Sequence, residues 1–279
     1  MRFAVTCAAV LALTVSTFAQ PAPPSVDPLH KPLDELLDLY VRDGLVYYNA
    51  LKSDRAKLDR YIRSLDGTAV SDYASWAPEK QLAFWINAYN AFVLRTVIDN
   101  YPIRGAAGQY PRGSVRQISG AFERQTFRAA GRSLTLDAIE KDVMAPFGDP
   151  RVFLALGRGA LGGGRLRSEA FNGARLDQQL TDVAAEAVDR KELLKIDQTS
   201  GTVSISPVFS WREAPFIAAY ADKAAPVFAS RSPLERAVLA LVAPYLLTSE
   251  REYLEKNAFK VQFHDFDWRL NDLTGGRKD

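Results

Sequence analysis

Ala83-Phe84-Trp85-Ile86-Asn87-Ala88-Tyr89-Asn90-Ala91-Phe92 is apolar on nearly every side of a helix. A helix without a polar face belongs inside a protein rather than on its surface. Pro78 stands where a first helical turn tolerates a missing N–H, and the pattern continues to Asn100. The sequence therefore predicts one long buried helix, 78–100, around which the rest is built. Within it Asn87 and Asn90 are three residues apart and share a face, while Tyr89 points elsewhere. An unpaired buried amide costs ~1–3 kcal/mol, so both asparagines need partners. Either they pin neighbouring loops, or one of them orients a substrate or a catalytic group.

Toward the N-terminus, Leu33, Leu36, Leu37 and Tyr40 fall at three- and four-residue spacing, predicting a helix that Gly44 ends. Leu45-Val46-Tyr47-Tyr48 reads as extended, and Asp54–Leu65 as an amphipathic helix carrying Leu58, Tyr61, Ile62 and Leu65. Beyond the long helix, residues 101–120 are glycine-rich and irregular. Gln125–Thr135 predicts a hairpin about Gly131, and Leu136–Met144 a short helix with Thr135 as its N-cap. Val152–Leu156 reads as a buried strand leading into a glycine-rich surface loop, 157–164. Leu176–Leu194 reads as a helix, and residues 195–206 as a hairpin about Ser200-Gly201. Ser232-Pro233-Leu234-Glu235 opens a helix to about Leu247, and Ser249-Glu250-Arg251-Glu252 is a second capping box. Phe259–Trp268 alternates as a strand. The expected fold is α+β: a single mixed globular domain, mainly helical, with short strands and hairpins.

Gly157-Arg158-Gly159-Ala160-Leu161-Gly162 matches G-x-G-x-x-G, but no βαβ unit surrounds it, which argues against a dinucleotide loop. Its glycines suggest instead a backbone cradle for a small anion, with Arg158, Arg165 and Arg167 adding charge. His264 alternates away from Asp265 and Asp267, so the last strand holds no ready acid–base pair or metal site. The chain has neither a Gly-x-Ser-x-Gly elbow nor a His-Glu-x-x-His motif.

Several landmarks, in order, resemble the family named domain of unknown function 547. They are Tyr40-Val41 with Val46 and Tyr48, the block 82–91, Leu134-Thr135-Leu136-Asp137-Ala138-Ile139-Glu140, Asp149-Pro150-Arg151-Val152, and Phe266-Asp267-Trp268-Arg269-Leu270-Asn271. The resemblance spans residues 29–279 and implies a family of bacteria and plants whose activity is unsettled. Relatives follow the Asp-Pro-Arg landmark with a histidine, a cysteine and a Cys-Pro pair; here Phe153, Arg158 and Gly163-Gly164 stand at those positions. Phenylalanine cannot move a proton, and arginine stays charged. The polar residues that the resemblance leaves are Asn87, Tyr89, Asn90, Glu140 and Arg151.

The N-terminus predicts export. Arg2 precedes Ala4–Phe18, an apolar run of about 15 residues, short of the ~20 a membrane-spanning helix needs. Thr17-Phe18-Ala19 has the small residues a signal peptidase reads, so residues 1–19 are a signal peptide, cut near Ala19, and residues 20–28 a proline-rich tether. A retained anchor is the alternative. Cleavage removes Arg2 and no acidic residue, so the net charge of +2 falls to +1. A near-neutral domain has no electrostatic reason to seek nucleic acid or anionic membrane. The sole cysteine, Cys7, leaves with the signal, and His30 and His264 are the only imidazoles. A thiol or zinc-thiolate enzyme is thereby excluded, and 47 % hydrophobic residues must build the core without disulfides.

The expected protein is a periplasmic or extracellular, non-catalytic domain without a cofactor, binding a small anionic ligand or a protein partner. Tyr89, Arg151, Arg158 and Arg165 are the candidate ligand-binding residues. Two alternatives stand beside it: a hydrolase or transferase using Glu140 or Glu169, with Asn87 and Asn90 assisting, and a structural envelope protein.

Overall fold

The computed structural model describes residues 26–274, so the expected signal peptide (1–19) and the expected tether up to residue 25 lie outside the described residues. Its N-terminal part comprises helix α1 (Lys31–Tyr40), strands β1 (Val41–Arg42) and β2 (Leu45–Val46), then α2 (Tyr48–Ser53), α3 (Ala56–Asp66) and α4 (Val70–Ser75). The spine is α5 (Pro78–Asn100). Next come the hairpin β3 (Thr126–Ala129) and β4 (Arg132–Thr135), then α6 (Leu136–Ala138), which runs on as π-helical turns through Met144. The C-terminal part is α7 (Leu176–Val188), β5 (Leu194–Asp197), β6 (Thr202–Ile205), α8 (Val208–Trp211), α9 (Glu213–Tyr220), α10 (Pro233–Val242), α11 (Thr248–Lys256) and β7 (Lys260–Phe263). The architecture is mixed α+β, dominated by helix.

The α5 helix is buried on all sides from Leu82 to Leu94, as its composition requires. Packed against it are α2, α3, α7 and the π-helical segment. Trp85 is fully buried and donates its Nε1–H to the Tyr73 hydroxyl at 2.8 Å. The α1 helix turns Leu33, Leu36, Leu37 and Tyr40 inward, and α3 does so with Leu58, Tyr61 and Leu65. The β3–β4 hairpin turns through Ala130 and Gly131, both at positive φ. In the three-stranded sheet β6 is central, antiparallel to β5 and parallel to β7.

The Phe266–Asn271 landmark closes the fold. Val46 N–H donates to Asn271 O at 2.8 Å, and Leu273 N–H to Val46 O at 2.9 Å. The Tyr48 hydroxyl reaches Asn271 Oδ1 at 2.7 Å, and Tyr101 reaches Asp272 Oδ2 at 2.7 Å. The first hairpin and residues 271–273 are thus a single unit.

Several expected elements differ. Val152–Leu156 is not a strand: Pro150–Leu154 forms a buried 3₁₀ helix, because Asp149 caps Arg151 N–H at 3.1 Å and Pro150 opens the turn. Residues 157–164 are not on the surface: every residue but Leu161 is buried. A Cβ on Gly164 would stand 1.9 Å from Leu154 O, so only glycine permits that approach. The Tyr47-Tyr48 end of the second strand instead turns into α2. Helix α7 stops at Val188, since Leu194 pairs with Ile205. Helix α10 stops at Val242, short of Pro244. Helix α11 begins at Thr248, ahead of the expected Ser249 cap, with Leu247 N–H donating to Glu250 Oε2 at 3.1 Å. The final strand is shorter than Phe259–Trp268, because β6 offers partners only as far as Phe263.

Candidate functional site

Glu140, Tyr89, Arg158 and Arg212 meet in the core, brought there by four separate stretches of chain. Thr135 caps the short α6 through Ala138 N–H at 3.1 Å. Beyond it the helix widens, Ala145 N–H reaching back to Glu140 O. Such π-helical turns are rare and concentrate at functional sites. Glu140 lies on this turn, facing the middle of α5. Tyr89 donates its hydroxyl to Glu140 Oε1 at 2.6 Å. Arg158 donates Nη2–H to Glu140 Oε2 at 2.7 Å, and Arg212 does so at 3.1 Å.

Arg158 is set by the glycine loop, where it adopts a left-handed φ of 47°. Its guanidinium also donates to Phe153 O at 3.0 Å. The side chains of Arg158 and Glu140 are 3 % and 5 % exposed, a sealed ion pair. Burial alone would lower the guanidinium's pKa, but the Glu140 charge and the Tyr89 hydroxyl more than offset it and the net direction is up. The Tyr89 phenol is pushed well above its ordinary value, first by burial and then by Glu140, so it remains a proton donor. Arg212 covers the group from outside, bridging Glu140 and Asp137, the latter at 3.1 Å.

The two asparagines pin loops. Asn87 donates to Phe171 O and accepts from Phe171 N–H, both at 2.8 Å. Asn90 donates to Ala155 O at 3.2 Å and accepts from Gly157 N–H at 3.0 Å. Together they fix the two ends of residues 155–171 to the spine, which sets Arg158 over Glu140.

The glycine loop does not form the expected anion cradle. The N–H groups of Ala160, Leu161, Gly162, Gly163 and Gly164 all donate to backbone carbonyls. Arg190, whose pKa is lowered by burial, ties the loop further by donating to Gly163 O at 3.0 Å and Leu161 O at 2.9 Å. Of the four candidate ligand-binding residues, Tyr89 and Arg158 converge on Glu140, and the other two do not join them. Arg151 is bound by Asp149, Asp177 and the Thr181 hydroxyl. Arg165 is paired at the surface with Asp43. Glu169 lies between Arg167 and Arg175, and His264 Nε2 is 2.9 Å from Glu192 O.

Sequence reasoning missed Arg212 and Asp137 as members of this group. Asp137 lies inside a quoted family landmark, but no local pattern marks Arg212, which is 72 residues from Glu140. Two clefts of about 400 and 250 Å³ flank Phe228 and Leu254 near α10 and α11; neither is lined by any residue of the Glu140 group. Among the described residues no three His, Cys, Asp or Glu side chains are grouped to hold a metal ion. Nor is any helix among them long and apolar enough to cross a membrane.

Residues 73–187 match the family model described as "Protein of unknown function, DUF547". That segment contains the spine, the π-helical turn, the 3₁₀ helix and the glycine loop, and so every residue of the buried group except Arg212. No curated protein and no solved structure matches the chain.

Proposed function

We propose that the chain, whose residues 73–187 match the DUF547 family model, is an exported, non-catalytic member of that family whose family centre has become a structural ion pair, and which acts by binding. The observation that carries this reading is the Arg158–Glu140 contact. Both oxygens of the Glu140 carboxylate are taken, by Tyr89, Arg158 and Arg212. A general base must reach a substrate proton within hydrogen-bond distance, directly or through one water. Glu140 is sealed beneath two guanidinium groups and offers no such approach. The resemblance implies a thiol where Arg158 stands, and a fixed positive charge is no nucleophile.

Export rests on the pattern of residues 1–19, and binding on the loss of the reactive positions without loss of the family scaffold. The mature protein, starting at Gln20, is assayed with ester, peptide, glycoside and phosphoester substrates. No turnover is expected, and thiol reagents have no effect. Turnover that disappears in Glu140→Gln while circular dichroism shows the variant still folded would overturn the non-catalytic reading. N-terminal sequencing of periplasmic or secreted protein tests export; a start at Met1 on membrane-bound material would sink it.

A further inference from the structure

The smaller of the two clefts near α10 and α11 has an apolar floor. Phe228, Leu239, Leu246 and Leu254 line it, and all four are buried. Another part of the lining is Ala240 in the last turn of α10, the C-cap Ala243, and Pro244. Proline has no N–H with which to carry the helix on, and the two alanines fill little space. A gap of about 250 Å³ is left between residues of α10 and α11. Drug-sized ligands occupy pockets of ~300–1,000 Å³, so this one suits a smaller molecule. Phe228 is the one aromatic ring of the lining, which gives an incoming ring little to stack on. An alkyl chain matches the aliphatic remainder, and each CH₂ moved there from water is stabilised in proportion to the area buried.

Lys223, Arg251 and Glu255 complete the charged part of the lining. Lys223 ends the 3₁₀ turn Ala221–Lys223, which packs against α10, and its Nζ lies 4.9 Å from the Tyr220 ring centroid. Among the described residues neither Lys223 nor Arg251 forms an ion pair, with Glu255 or with any other carboxylate. Two cations against one carboxylate leave the lining one positive charge in excess. The larger cleft differs: its one cation, Arg231, is paired with Glu235 at 3.5 Å and lies 3.5 Å from the Phe259 ring centroid. An apolar hollow with one unmatched positive charge is complementary to a molecule with an alkyl body and a single negative head. A protonated amine of the same length would meet two like charges, and a neutral alkane would leave both cations unanswered.

We propose that this cleft binds a medium-chain alkyl monocarboxylate, its chain against Phe228, Leu239 and Leu254 and its head held by Lys223 and Arg251. The inference rests on the binding reading above and deepens it by naming the site and the ligand class. The test is titration calorimetry of the mature protein with butanoate, hexanoate, octanoate and decanoate, and with decylamine as the cationic probe. Octanoate is expected to saturate, and affinity to rise by up to about fourfold per added CH₂ from hexanoate onward. Decylamine should bind about tenfold or more weakly than decanoate. Joint replacement Lys223→Glu and Arg251→Glu should weaken decanoate by about tenfold or more. Both residues are exposed, so this variant should stay folded, which circular dichroism checks. Ala240→Leu fills the gap and should abolish binding. No saturation by octanoate or decanoate overturns the inference, as do affinity blind to chain length and decylamine binding as tightly as decanoate. Undiminished binding by either folded variant overturns it too. A dimer in analytical ultracentrifugation that Ala240→Leu disperses would give the cleft to a second copy and likewise overturn it. No residue of the Glu140 group lines the cleft, so failure here leaves the non-catalytic reading standing. Glu140-dependent turnover would remove that reading and leave the carboxylate site in place.

Discussion

Arg158 and Glu140 form a 2.7 Å ion pair inside the core, at the position where the family resemblance implies a thiol. Two charges removed from water bind each other strongly only because each is also hydrogen-bonded elsewhere: Arg158 to Phe153 O and Glu140 to Tyr89. Removing one partner leaves the other charge buried, though Arg212 relieves part of that cost for Glu140. Arg158→Met and Glu140→Gln should each lose about 3–5 kcal/mol in urea unfolding. The double variant should lose less than their sum by about 1 kcal/mol or more. Strict additivity would mean that the pair is not coupled.

The spine sets a second expectation. Trp85→Ala removes a fully buried indole and its bond to Tyr73, and should cost roughly 3–5 kcal/mol. That is a large share of the ~5–15 kcal/mol a domain has. A loss under about 1 kcal/mol in denaturant melts would contradict the packing of α5.

The asparagines make a third. Asn87→Ala orphans both backbone groups of Phe171, and Asn90→Ala those of Ala155 and Gly157. Each should lose about 2–4 kcal/mol, the cost of two unpaired buried groups. Gln178→Ala, on the exposed face of α7, should stay within about 0.5 kcal/mol. Equal melts for all three would remove the pinning role.

A fourth concerns pH. His30 is buried, its Nδ1 2.8 Å from the Tyr61 hydroxyl and its Nε2 without a hydrogen-bond partner. Burial pushes its pKa down to about 4; Asp27 opposes the shift, and Lys80 adds to it. The unfolded chain, with His near 6.5, takes up the proton first. Stability is therefore full above about pH 6.5 and falls as pH drops toward about 4. The loss is about 3 kcal/mol for this group. Urea melts at pH 7 and pH 4 should show a decline steeper in wild type than in His30→Asn by that amount. Parallel profiles would mean that His30 titrates normally.

What was legible in the sequence divides by range. The limits of α5, the turn at Gly131 and the cap at Thr135 follow from neighbouring residues alone, and all three stand as read. The Val152–Leu156 strand failed because five apolar residues fit any buried backbone, and the deciding interaction is the Asp149 side chain bonded to the N–H two residues on. Glycine and arginine in residues 157–165 suggested solvent, whereas the glycines are there so that backbone can approach backbone inside the core. Glu140 and Arg158 were each singled out, yet their pairing was invisible, because nothing local joins residues 18 apart across a helix and a loop. The ring contact between Trp211 and Trp268, 6.0 Å between centroids, is more distant still in sequence, and no local pattern joins the two.

The clamp between Asn271 and the first hairpin also fixes when the fold can be completed. Asn271 Nδ2–H bonds Gly44 O across 227 residues of chain. A contact that distant brings its reward late, after the entropy of closing so large a loop. During synthesis, the β1–β2 hairpin waits for partners 227 residues further along the chain. Until then the nascent chain lacks the tie that locks its N-terminal layer, so that layer is the last part of the fold to become fixed.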